Sequence, residues 1–130
     1  MGMLDRWEMV MKALGQPTRL KIIMLLASRE QCVCELERII GISQPAISQH
    51  MRVLKAAGLV KERRDGQWTY YRLDQENLGE TLQLFSTALK DPRDVVKGME
   101  PEWQRLDELE RDPLVPCRPC GAREGACQRN

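Results

Sequence analysis

"EQCVCELERIIGISQPAISQHMRVLKAAGLV", residues 30–60, contains two helical patterns separated by almost nothing. Leu36, Ile39 and Ile40 form the apolar side of a first helix that breaks at Gly41. Only Gly41 and Ile42 stand between it and Ser43, a favourable N-cap, and Pro45 is tolerated in the first turn of the helix that follows. That second helix sets Ile47, Met51 and Leu54 on one face and leaves Gln44, Ser48, Gln49, Arg52 and Lys55 on the other. The apolar face anchors it, and the polar face is free to read a partner. Gly58 followed by Leu59 reads as a glycine C-cap with its hydrophobic contact.

The flanks complete a module. After Gly58, "LVKERR" and "WTYYRL" carry strand formers on either side of Asp65-Gly66, which predicts a β-hairpin. Upstream, Leu4, Trp7, Met11 and Leu14 recur at helical spacing and end at Gly15, and Pro17 opens a helix whose two-sided apolarity, including Leu20, Ile22, Ile23, Leu25 and Leu26, marks it as central. Downstream, Leu78, Leu82, Phe85 and Leu89 define a last regular helix ending before Asp91-Pro92. Two helices with a tight turn and then a basic hairpin make a mainly helical winged helix-turn-helix, a fold that lays its second helix in the DNA major groove and its wing along the backbone.

Composition and charge agree with such a module. In 130 residues, 42% are apolar and 30% charged, both in the globular range. No apolar run approaches the 18 to 20 or so residues needed to cross a bilayer, and "MGMLDRWEMV" does not look like a secretory signal, so no membrane partner and a cytoplasmic location are expected. The net charge of +1 conceals a division: residues 43–73 hold six basic side chains against two acidic, whereas residues 91–112 hold eight acidic against four basic. Residues 1–90 are therefore expected to form the DNA-binding and dimerisation domain, and residues 91–130 an acidic linker with a cysteine-containing tail. "PEWQRLDELER", residues 101–111, predicts one short helix within the latter.

For double-stranded DNA the residue types suit the task. Gln44 and Gln49 can bond adenine bidentately, and Ser48 can reach several bases. Arg52, Lys55, Arg63, Arg64 and Arg72 can neutralise phosphates. Ser43 caps the reading helix, and His50, the only histidine, is expected to contact DNA or to cap the recognition face. Trp68, Tyr70 and Tyr71 are expected to pack the wing.

"LGQPTRLKIIMLL", "CVCELERIIGISQPAISQHMRVLKAAGLV" and "RRDGQWTYYRL" together resemble the ArsR/SmtB repressors of metal and metalloid resistance, in order and spacing, over roughly residues 7 to 90. The resemblance implies a non-enzymatic homodimeric repressor, paired through its first and last helices, that binds operator DNA and leaves it when an inducer binds. The apolar stripes Leu4/Trp7/Met11 and Leu82/Phe85/Leu89, richer than a lone small domain needs, point the same way.

Cys32 and Cys34 stand where arsenic-responsive members of that family resemble "CVCDLC", and thiolates select soft ions. As(III) or Sb(III) is the inducer so implied, with cadmium, lead and zinc remaining open beside them. In a regular helix side chains at i and i+2 point about 200° apart, so capture of one ion is expected to unwind or reshape the start of the helix that carries them. Both thiols are expected to be partly exposed. The family's third cysteine is replaced by Glu37, a hard carboxylate, so a third sulfur would have to come from Cys117, Cys120 or Cys127 in the Pro- and Gly-rich tail. Cys117-x-x-Cys120 has the spacing of half a zinc knuckle. A redox or sulfide-responsive repressor of the same fold is the alternative reading. A thiol oxidoreductase or metal carrier built on Cys117-x-x-Cys120 would lack a βαβ context.

Overall fold

In the computed structural model, residues 2–112 are described. They form α1 (Met3–Leu14), α2 (Pro17–Ser28), β1 (Gln31–Cys32), α3 (Val33–Ile40), α4 (Gln44–Ala56), β2 (Val60–Asp65), β3 (Trp68–Leu73), α5 (Gln75–Lys90), α6 (Pro92–Val95) and α7 (Glu100–Arg111). The chain divides into two compact units, Met1–Gly98 and a second that begins at Met99 and holds α7. The first is a winged helix-turn-helix, as expected.

Its centre is an apolar cluster to which α1, α2, α3, α4, α5 and β2 contribute, with Tyr71 and Leu73 of β3 packed against it. Val10, Ile22, Leu36, Ile47, Met51, Leu54 and Leu59 are fully buried there. Burying each such side chain stabilises the fold by about 1.5 to 3 kcal/mol, which fixes α4 by its inner face and turns its outer face to solvent.

Local chemistry sets the joints. α3 stops at Gly41, whose φ of 81° is left-handed, with its N–H donating to the Glu37 carbonyl. Ser43 then starts α4, its Oγ accepting from the Ala46 N–H. α4 ends in a paired cap: the Leu59 N–H donates to the Leu54 carbonyl at 3.0 Å, and the Gly58 N–H to the Lys55 carbonyl at 2.9 Å. Asn77 of α5 donates to the Gly58 carbonyl at 2.6 Å and accepts from Arg6 of α1 at 2.9 Å, which locks three helices at one corner.

The hairpin is in register with Asp65 opposite Trp68, leaving a two-residue turn in which Gly66 takes the positive φ. It is not alone. β1 adds a third, antiparallel strand, in the order β1-β3-β2, with Gln31 opposite Tyr71 and Cys32 opposite Tyr70. The expected two-stranded wing is thus a three-stranded sheet. Two residues carry no period-2 signal, so only their pairing reveals the strand. Trp68 also departs from expectation: it is 55% exposed, because the hairpin tip carries it past the core, while Tyr70 and Tyr71 are half-buried. Among the described residues no helix is long and apolar enough to cross a membrane.

Candidate nucleic-acid interface and thiol pair

α4 presents Gln44, Gln49, Arg52 and Lys55 exposed and Ser48 half-buried, opposite the buried Ile47, Met51 and Leu54. Gln49 accepts from Arg52 at 3.3 Å, and Lys55 pairs with Glu62 of β2 at 2.9 Å. His50 is half-buried. Its Nδ1 stands 3.4 Å from the Arg19 guanidinium, and burial, followed by the charge of Arg19, lowers its pKa, so the ring is neutral at pH 7 and accepts at that atom. Arg19 also donates to the Ala13 and Lys12 carbonyls, so His50 braces α4 against the α1–α2 joint.

On the wing, alternation puts Arg64 on the strand face that carries Glu62 and Tyr71, the side to which Lys55 of α4 bonds. Arg63 and Arg72 occupy the other face. Arg64 and Arg72 are exposed and make no ion pair among the described residues. Arg63 is committed: its guanidinium holds both carboxylate oxygens of Glu30 and lies 4.7 Å from the centre of the Tyr70 ring. The bond from Arg63 holds the Glu30 carboxyl below its usual range.

The thiol pair lies where β1 passes into α3. Cys32 is the N-cap of α3, with extended backbone (φ −87°, ψ 167°), and Cys34 sits in the first turn. Their Sγ atoms are 2.8 Å apart. This overturns the expectation that two helical thiols point apart: because Cys32 stands outside the helix, its side chain converges on that of Cys34 without any unwinding. The expectation that both are partly exposed fails for Cys32. Cys34 is exposed, but Cys32 is 5% and Gln31 2% exposed, since β1 is covered by its pairing with β3. Burial pushes the Cys32 thiol up, and the hydrogen bond with Cys34 adds to the shift.

The surroundings of the pair were not read from the sequence. The Cys32 N–H donates to Glu35 Oε1 at 3.1 Å, and Glu35 Oε2 accepts from Arg29 at 2.7 Å. Arg29, first among the causes, and the Cys32 N–H hold the Glu35 carboxyl below its usual range. The Gln31 amide donates to the Leu25 and Arg29 carbonyls, closing the end of α2. A glutamate three residues after an N-cap is the available signal, and it is recognisable once cysteine is admitted as the cap. Among the described residues no cluster of three His, Cys, Asp or Glu side chains could hold a metal ion. Glu37 is half-buried on α3. Cys117, Cys120 and Cys127 lie outside the described residues.

Comparison with known proteins follows the same lines. The family described as "Bacterial regulatory protein, arsR family" matches residues 16–62. The chain is similar to the arsenic resistance transcriptional regulator ArsR1 of Pseudomonas putida, 38% identical over 109 residues that cover 82% of each chain. Among solved structures it is similar to a possible transcriptional regulator for arsenical resistance, at 43% identity and a TM-score of 0.55, over 65% of this chain and 88% of that one. It is also similar to a homodimeric winged helix-turn-helix DNA-binding domain from Mycobacterium bovis, at 30% identity and a TM-score of 0.57, over 73% and 88% of the two chains.

Proposed function

Since the chain belongs to the arsR family of bacterial regulatory proteins, whose members bind DNA and are not enzymes, we propose that it is a cytoplasmic metalloid-responsive repressor. As a homodimer it holds operator DNA and is released when As(III) or Sb(III) joins Cys32 and Cys34. The observation that carries this reading is the convergence of two thiols, 2.8 Å apart, at the N-terminus of the helix that packs on α4. α4 with Gln44, Ser48 and Gln49 reads bases, while Arg52, Arg64 and Arg72 supply phosphate contacts. Lys55 joins them by exchanging Glu62 for phosphate.

The donor chemistry favours a soft ion, and the pair needs little rearrangement to receive one. Two thiolates around an ion at a metal–sulfur distance of about 2.3 Å stand roughly 3.8 Å apart, so the sulfurs open by about an ångström. Capture dissolves the Cys32–Cys34 contact and shifts the cap of α3. The helix start is therefore the switched element, displaced as a cap and not unwound. A tail cysteine supplies a third sulfur if the ion demands one. Apolar side chains exposed on α1 and α5, among them Leu4, Met11, Leu82 and Leu89, support pairing through the first helix and the last helix of the first unit's main bundle.

The test is a titration of the full chain on a duplex recovered by in vitro selection, under a phosphine reductant, with arsenite, antimony(III), cadmium or lead. Arsenite or antimony(III) is expected to release the duplex. Cys32→Ser and Cys34→Ser are expected to hold it but no longer respond. Both should fold, since serine is itself a good N-cap and Cys34 is exposed. Release by peroxide or sulfide in a parallel titration without reductant, with all four ions inert under the phosphine, would instead establish the redox alternative. Truncation after Asp112 reports whether the tail contributes a ligand.

A further inference from the structure

A closed ring of contacts runs from the thiol pair to the wing and back. Cys32 lies opposite Tyr70 in the β1–β3 ladder. The Tyr70 ring carries the Arg63 guanidinium, and Arg63 grips Glu30, two residues before Cys32. Arg29 donates from one arm to the Glu30 carbonyl at 3.1 Å and from another to Glu35, which in turn holds the Cys32 N–H. Each link is a directional bond or a ladder position, so Cys32 cannot shift without disturbing either the ladder or the Glu30–Arg63 pair.

We propose that Glu30 and Arg63 are positioning residues that transmit the occupancy of the thiol pair to the wing, so that Arg63 sets the angle of the hairpin that Arg64 and Arg72 carry. The proposal rests on the reading of Cys32 and Cys34 as the inducer site. Three features of the structure support it. Arg63 alone among the three wing arginines is fully engaged, doubly on one carboxylate and on one ring, which suits a strut more than a phosphate contact. Cys32, the buried thiol of the pair, is the one built into the sheet, so any shift of its backbone on capture reaches the β1–β3 ladder. Beyond Arg63 the hairpin tip is lightly held, with residues 64–68 all exposed.

Glu30→Gln tests the link without touching a thiol or a DNA-facing side chain. The measured quantity is the ratio of duplex dissociation constants with and without arsenite, alongside arsenite affinity for DNA-free protein. For the natural chain a ratio on the order of 5 to 150 is typical of such couplings. Glu30→Gln is expected to keep both individual affinities, while its ratio falls severalfold below that of the natural chain. A Glu30→Gln protein released by arsenite as fully as the natural chain would overturn the proposal. Release of Cys32→Ser and Cys34→Ser by arsenite would remove the inducer-site reading first, and this inference with it. A second measurement does not depend on the variant folding: in the full natural chain, saturating arsenite is expected to shift the backbone amide resonances of Arg63, Thr69 and Tyr70. Shifts confined to α3 and α4, with those three unmoved, would equally overturn it.

Discussion

Cys32 is buried in a strand and Cys34 is exposed on a helix turn, so the same two thiols meet an ion under different constraints. Burial keeps Cys32 protonated beyond the ordinary thiol range, and the proton count of capture then depends on what is captured. A divalent cation must expel a proton from each thiol, so its apparent affinity rises with pH for as long as the thiols start protonated. Arsenous acid instead loses two hydroxyls: two As–S bonds form, two As–O bonds break, and the thiol protons leave within two waters, with no net release. Cadmium affinity for DNA-free protein is therefore expected to climb by up to about two decades per pH unit between pH 6 and 8, and arsenite affinity to stay within about threefold. Competitive titrations in matched buffers read both. Equal slopes for the two ions would contradict capture by protonated thiols.

Helix ends do most of the positioning, and two glycines show how differently they do it. Gly41 ends α3 at φ 81° with open space where a Cβ would go. Alanine there meets only the left-handed backbone penalty, about 1 to 2 kcal/mol. Gly58 ends α4 at φ 73°, and a Cβ would stand 2.8 Å from the Asn77 amide nitrogen and 3.4 Å from Arg6. Gly58→Ala is expected to cost the same backbone penalty and, in addition, to push apart the Asn77 contacts that join α1, α4 and α5. Urea denaturation should therefore rank Gly58→Ala as clearly less stable than Gly41→Ala. Equal midpoints would mean that the Arg6–Asn77–Gly58 corner bears no strain and does not fix the end of the reading helix.

At the scale of the molecule, the question is what covers α1 and α5. Trp7 and Phe85 meet edge to face, 5.1 Å apart, joining the two helices, while Leu89 remains 71% exposed and Leu82 also faces solvent. In the proposed dimer these leucines are buried, and two reading helices are presented to two half-sites at once. Leu82→Glu with Leu89→Glu is expected to leave the circular dichroism of the fold intact and to give a monomer by sedimentation equilibrium. Duplex affinity should fall on the order of 10²- to 10⁴-fold, the loss of one tethered half-site. A doubly substituted chain that still sediments as a dimer would place the contact elsewhere.

The order of the main helices and the hairpin, the break at Gly41, the Ser43 cap and the buried stripe of Ile47, Met51 and Leu54 were legible in the residues themselves, because each depends on spacing or on one residue's backbone preference. The polar face of α4 followed from the same periodicity. What the chain order could not decide were contacts between segments far apart in sequence. Whether Cys32 is helical or extended turned on its ladder with Tyr70, nearly forty positions away, and that single pairing changed two divergent thiols into a convergent pair. Arg63, Arg64 and Arg72 look alike as charges, and only the placement of Glu30 beside one strand face separates the engaged arginine from the two open ones. Local periodicity is written along the chain, whereas the partner of a strand edge or of a charge is set by which surfaces the shared apolar core draws together.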